Sequence, residues 1–236
     1  GGRLNTLTGQ ADVWIAESNF ARVAAGSIPY EAQGAPVAKD AFIWVAVKAH
    51  NELSGNLNWM TVAQTAKSNP QFRIAMPPAN SVEGMAACWT AAAEYQRSAN
   101  ITAAQISDPA FRKWLEALLL AAPDRNRSPR DQLSTRPPQA DAGLILNSDW
   151  NELAQEAFLS QAPGYNVAFD YPYYIRSNWQ NLQAEEASTH RAAAEKFRAF
   201  LLGSGPQSEL ASYGLQKADF QLSGKLLLND ESIIRA

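Results

Sequence analysis

Cysteine is almost absent from this chain: Cys88 is the sole one among 236 residues. An internal disulfide is excluded, and Cys88 has no second thiol with which to frame a zinc site. That usage fits a reducing compartment and a disulfide-free exported protein equally well. Histidine is nearly as scarce, with only His50 and His190, far apart in sequence. A Ser81–His50–Asp triad can be drawn, but no G-x-S-x-G elbow stands behind it. Neither G-x-x-x-x-G-K nor G-x-G-x-x-G occurs, so no phosphate-cradling loop is present. The run NSDWNE (147–152) lacks the glycine and the spacing of a calcium loop. No catalytic group, metal site or cofactor is therefore expected. No apolar run reaches the length of a membrane span. A strong charge of either sign is also missing: the formal net charge is −3, which gives no reason to expect nucleic acid or an anionic membrane as a partner. Internal repeats and low-complexity segments are absent. The chain begins GGRLNTLTGQ without a methionine and reads as processed or truncated.

What remains is an ordinary globular composition, 46% hydrophobic and 18% charged, with no signature of disorder. Short β-like runs alternate with longer helical ones. ADVWIA (11–16) reads as a strand and SNFARVAAG (18–26) as a helix. DAFIWVAVKA (40–49) is a long strand, WMTVAQTAKS (59–68) a helix, QFRIAM (71–76) a strand and SVEGMAACWTAAAEYQR (81–97) a helix. DPAFRKWLEALLLAAP (108–123) predicts a helix with Asp108 as cap and Pro109 at its first position. The charged, proline-rich stretch 124–139 reads as an exposed connection with room for a short helix. DAGLILN (141–147) returns to strand, and SDWNELAQEAF (148–158) predicts a helix capped by Ser148. NVAFDYPYYIRS (166–177) is extended, with Pro172 marking an edge or a change of direction. Helices are predicted over 185–203 and 206–214, and the KLLL segment near 225–228 has no assignment.

Strands alternating with helices predict an α/β fold with mostly parallel, helix-covered sheets. Ligands in such folds sit beyond the carboxyl ends of strands, where helices begin. Three strand-to-helix turns here carry small polar residues: Glu17, Ser18 and Asn19; Asn80 and Ser81; Asn147, Ser148 and Asp149. Each can be a helix cap, a ligand contact or both, because the unpaired N–H groups of a helix start suit either use. Glu83, in the first turn after Ser81, favours the helix dipole but repels an anion. That pattern admits a zwitterionic ligand, a neutral one or none. Tyr171 and Tyr173 share one face of the later strand and Tyr174 the other; at least one is core. The seven tryptophans are scattered and read mainly as packing.

In order along the chain, ADVWIAES, PVAKDAFIWVAVKAH, NWMTVAQTA, FRIAMPPANSVEG, ADAGLILNS and DYPYYIRSNW resemble bacterial extracellular solute-binding proteins. The group is the class II periplasmic-binding fold that includes molybdate-binding-like proteins. The resemblance covers roughly residues 11 to 216. It implies two lobes, one from 1–50 and 171–236, the other from 51–170, joined by two crossings that act as a hinge. Family members carry a strand–helix–strand unit before the ADVW strand, whereas only about ten residues precede it here, so the first lobe is expected to be N-terminally truncated.

The resemblance further implies an extracytoplasmic protein that closes on a small polar or anionic solute, for delivery to an ABC transporter permease. The expected ligand-binding residues are Glu17, Ser18, Asn80, Ser81, Asn147, Ser148, Tyr171 and Tyr173. A second reading makes the chain a binding-protein-like module of a larger surface or signalling protein, since some relatives are joined to a von Willebrand type A domain. A third, an enzyme on the same scaffold, has no nucleophile, base or metal constellation to carry it.

Overall fold

A near-continuous apolar run in the longest strand sets up the larger sheet. In the computed structural model, which describes residues 11–16, 29–179 and 182–222, β3 spans Ala38–Val47 and is buried on both faces. Its Val45 joins Leu133, Ile145, Leu153 and Phe158 in one apolar cluster, with Ile43 and Val47 packed against it. From the opposite face, Trp44 meets Trp59 edge-on at 5.0 Å. A strand covered on both sides needs a near-continuous apolar run, and FIWVAV supplies it.

Around β3 are β4 (Ile74–Ala75), β5 (Ala142–Leu146), β6 (Phe158–Gln161) and β7 (Ala168–Tyr171). The order is β4-β5-β3-β6, and β7 also pairs with β3. The helices of this region are α1 (Trp59–Ser68), α2 (Val82–Gln96), α3 (Ala103–Ile106), α4 (Pro109–Leu119), α5 (Pro129–Leu133) and α6 (Asn147–Trp150). Alanines 86, 87, 91, 92 and 93 of α2 are buried, which lets α1, α3 and α4 pack closely on it. At Gly143 of β5 an added Cβ would lie 2.9 Å from Leu133 Cδ1 and 3.1 Å from the Ala75 Cβ. The glycine lets α5 sit directly on β5 beside β4.

A smaller antiparallel sheet has the order β1-β8-β2, with β1 at Val13–Ile15, β2 at Tyr30–Ala32 and β8 at Tyr173–Arg176. Trp14 stacks on Tyr174 at 5.0 Å, within a cluster that includes Ala16 and Tyr30. The other face buries Tyr173 and Ile175 with Val37 and Ala194, the last from α7 (Ala184–Leu201). α8 (Ser204–Ser212) follows. Gln207 ties it down, donating to the carbonyls of Val37 and Leu201 at 2.8 Å each.

The chain divides into two compact units: a first containing the described residues up to Asp40 together with Phe169–Gln221, and a second containing Ala41–Ala168. The division between the units falls inside β3, between Asp40 and Ala41. The cause is pairing: residues 42–47 of β3 are in register with β5 and β6.

Two expectations need correction. The sheets are not mostly parallel: β4–β5 is parallel, whereas β1–β8, β2–β8, β3–β5 and β3–β6 are antiparallel. Helical crossovers enforce parallel pairing only between the strands they connect, here β4 and β5. The helix expected over 148–158 is a single turn, α6, followed by a 3₁₀ turn at Gln155–Ala157 and then β6. Phe158 pairs with Val47 and lies in the β3 cluster, so burial on the sheet overrides the local helical pattern. Ser148 accordingly does not cap: the residue flanking the turn is Leu146, with no side-chain cap bond. The helix read at 18–26 lies outside the described residues.

Candidate functional site

Three helix starts converge on one cavity in the second unit. The chain leaves β4 through Met76, Pro77 and Pro78, turns, and enters α2 at Ser81. Ser81 Oγ accepts from the Gly84 N–H at 3.0 Å and donates its own proton to the Pro78 carbonyl at 2.8 Å. The Ser81 N–H donates to that carbonyl as well, at 2.9 Å. The turn and the cap are therefore one hydrogen-bonded unit. Gly84 completes it, because a Cβ there would lie 1.9 Å from the Pro78 oxygen.

The second start is α5, whose cap Ser128 accepts from the Asp131 N–H at 3.1 Å and precedes Pro129. Gln132, almost fully buried, holds the approach to this turn by donating to the carbonyls of Asp124 and Arg127. The third start is α6, entered directly from the last residue of β5.

The cavity has a volume of about 230 Å³. Phe42 and Leu144–Leu146 form its sheet wall; Pro77, Pro78, Ser81 and Glu83 come from the first turn, Ser128 and Pro129 from the second, and Asp149 from the third. Arg130 braces the second and third. Its guanidinium lies 2.7 Å from Glu152, 3.8 Å from Asp149 and 3.5 Å from Asp131. Three carboxylates around it raise its pKa further despite partial desolvation.

Of the residues expected to bind ligand, Ser81 lines this cavity. Asn80 is exposed on the preceding turn and is not part of the wall. Asn147 and Ser148 are half-buried and sit between the lining residues Leu146 and Asp149. Glu17 and Ser18 lie outside the described residues. Tyr171 and Tyr173 belong to the first unit and are not among the residues that line the cavity. Tyr173 is 1% exposed, and its hydroxyl donates to the Ala194 carbonyl at 2.7 Å; Tyr171 packs against the same cluster. The alternation on that strand was readable, but the shared face turns toward α7 and core.

Ser128, Pro129 and Phe42 were missed as site residues. Ser-Pro followed by Asp131 is a recognisable helix-start signal, which the charge and proline around it obscured. For Phe42 the sequence carried no signal beyond strand burial.

Cys88 and His50 are not among the residues that line this cavity. Burial pushes the Cys88 thiol up, against a weaker pull from Arg112, which keeps it protonated. His50 bonds to Glu52 and Asp141, at 3.0 and 3.1 Å. Among the described residues no group of three or more His, Cys, Asp or Glu is placed to hold a metal, and no helix is long and apolar enough to cross a membrane.

No protein-family model and no curated protein sequence matches this chain, but solved structures do. The periplasmic thiamin binding protein superposes with a TM-score of 0.63 at 12% identity, covering 94% of this chain and 71% of that one. The sulfate-binding protein SubI from Mycobacterium tuberculosis H37Rv gives 0.61 at 15% identity, covering 91% and 75%. Iron-bound HitA from Pseudomonas aeruginosa gives 0.57 at 14% identity, covering 99% and 80%. At such identities the likeness is one of fold. This chain has the class II periplasmic-binding fold of the ABC-transporter solute-binding proteins.

Proposed function

We propose that this protein captures a small polar solute at the cavity of its second unit and serves an ABC transporter outside the cytoplasm. The observation that carries the reading is the convergence of the Ser81, Ser128 and Asp149 turns on one apolar-floored cavity, in a fold whose solved neighbours are solute-binding proteins. Its volume of about 230 Å³ lies below the usual range for drug-sized ligands, so the solute is small. The two compact units are taken as the two lobes of the fold, one built from both ends of the described chain and the other from its middle. A non-catalytic role is favoured by Ser81 itself: its proton is committed to Pro78, and no base lies on its hydroxyl.

A thermal-shift screen against oxyanions, amino acids, small carboxylates and sugars tests the reading. A solute at 100 times its dissociation constant adds about 2.7 kcal/mol of stability, which in a chain of this size raises the melting temperature by roughly 5–10 °C. Ser81→Ala is expected to weaken binding several-fold while costing about 1 kcal/mol through the lost cap. A folded sample that answers to no class, or a Ser81→Ala variant that binds as wild type, would overturn the assignment of this site.

A further inference from the structure

We propose that a further cavity of the second unit, beside the PPAN turn, binds a small aromatic molecule bearing a carboxylate. Its volume is about 290 Å³, larger than that of the cavity lined by Ser81. Trp59 of α1, Met76, Met85, Cys88, and Leu115 and Leu119 of α4 form its walls. Pro77 borders both cavities, whereas Ala79 and Gly84 line this one and not the other. The polar groups of the wall are committed elsewhere. The Trp59 indole N–H donates to Thr90 Oγ1 at 3.1 Å, Thr90 donates to the Ala87 carbonyl at 2.9 Å, and Ser81 takes the Gly84 N–H. Trp59 therefore presents ring carbon to the space, and a polar solute finds little to bond.

An apolar guest, by contrast, replaces empty space with dispersion contacts. A cavity of roughly 150 Å³ lined by aliphatic and aromatic side chains stays dry and takes benzene, so this one admits a ring with a short substituent. Two of the three methionines of the chain and its one cysteine stand in the wall. Thioether sulfur sits favourably at the edge of an aromatic ring, and methionine adapts its shape to what it meets. Arg125 sets the polarity of the mouth. It is exposed, and among the described lining residues it is the one with a charge; no carboxylate lines the cavity. The neighbouring Asp124 carboxylate is turned to its own loop, where Oδ1 accepts the N–H groups of Asn126 and Arg127 at 3.2 Å each. A guanidinium offers a carboxylate two parallel charge-assisted hydrogen bonds. The ring would lie against Trp59 and the methionines, with its carboxylate at Arg125.

Calorimetric titration of the whole chain with phenylacetate and benzoate, beside uncharged phenylacetamide, tests this. At least one of the aromatic carboxylates is expected to bind, and phenylacetamide about threefold more weakly than phenylacetate, the scale of an exposed ion pair. Ala79 is exposed and lines this cavity alone of the two, so Ala79→Trp should block the mouth and abolish binding. Arg125→Gln should weaken the carboxylates about threefold and bring phenylacetate level with phenylacetamide. Circular dichroism establishes that both variants are folded. Unchanged affinity in Ala79→Trp would put the ligand elsewhere and overturn the site. Should that variant not fold, Arg125→Gln decides alone: unchanged phenylacetate affinity overturns the proposal. Equal affinity of the wild type for phenylacetamide and phenylacetate would overturn the carboxylate assignment. If neither aromatic carboxylate binds, this inference falls, while the solute-binding reading, which concerns the other cavity and small polar solutes, stands on its own test.

Discussion

Gly84 occupies a position where even one carbon has no space, because the Pro78 carbonyl lies 1.9 Å from where a Cβ would be built. Backbone cannot retreat as a flexible side chain can, so a methyl group there must separate the PPAN turn from the start of α2. The same separation would break the Ser81 bridge, which accepts from Gly84 and donates to Pro78. Gly84→Ala is accordingly expected to destabilise the protein by about 1–3 kcal/mol, despite the better helix propensity of alanine. Urea unfolding measures the loss. A stability equal to or above wild type would mean that the turn relaxes freely and that the glycine has no packing role. Because the cavity wall runs through Pro78 and Ser81, solute affinity should fall in the same variant.

Asn166 shows what keeps the long strand in place just beyond the division between the units. It is 1% exposed and behaves like a strand partner to Phe42: its Oδ1 accepts the Phe42 N–H at 3.1 Å, and its Nδ2 donates to the Phe42 carbonyl at 2.8 Å. Asn166→Leu keeps similar bulk but strips both bonds from Phe42, together with the bond that Oδ1 accepts from the Val167 N–H at 2.9 Å. The cost expected is about 2–5 kcal/mol, from the unsatisfied groups, read as a lower urea midpoint. Nothing in the local sequence announced this contact, since its two ends are 124 residues apart. Elements governed by local chemistry were legible: α1 begins at Trp59 after Asn58, whose side chain accepts from Met60 and Thr61, and α4 begins after Asp108 as its cap and proline predict. Pro172 separates β7 from β8, in keeping with its missing donor. Elements governed by distant pairing were not legible. β4 shrinks to Ile74–Ala75 because β5 is its strand partner and matches it over two residues. The stretch 151–158 gives up helix for a place beside β3. The site follows the same rule: Ser81 was readable as a helix start, while Phe42 and Pro129 became neighbours of it only through the sheet.

For the protein as a whole, the fold leaves the ligand open, since neighbours of similar TM-score are named for thiamin, sulfate and iron; specificity belongs to side chains grafted on the scaffold. The fold does constrain how stability responds to pH. His50 follows β3 and reaches Asp141, which precedes β5, and Asp141 also accepts the Arg73 N–H just before β4 at 2.7 Å. The cluster therefore ties together the ends of three strands. Burial pulls the His50 pKa down, but hydrogen bonds and charge from Glu52 and Asp141 more than reverse this, leaving it above the ordinary 6.5. A proton held more tightly by the folded state than by the unfolded one stabilises the fold. That contribution is fully present below 6.5 and is lost as pH rises through the elevated folded value. Glu52 acts at the other end: its own backbone N–H and His50 lower its pKa below 4.5, so its contribution is present above that value and is lost on acidification. Above pH 6.5 the His50 contribution should decline, so its share of the wild-type urea midpoint should fall as pH rises through the elevated folded value. In His50→Gln the fall should be smaller, with the two proteins converging at the alkaline end. Equal slopes in wild type and variant would show that the proton on His50 does not hold these strand ends together, and that neutral hydrogen bonding suffices.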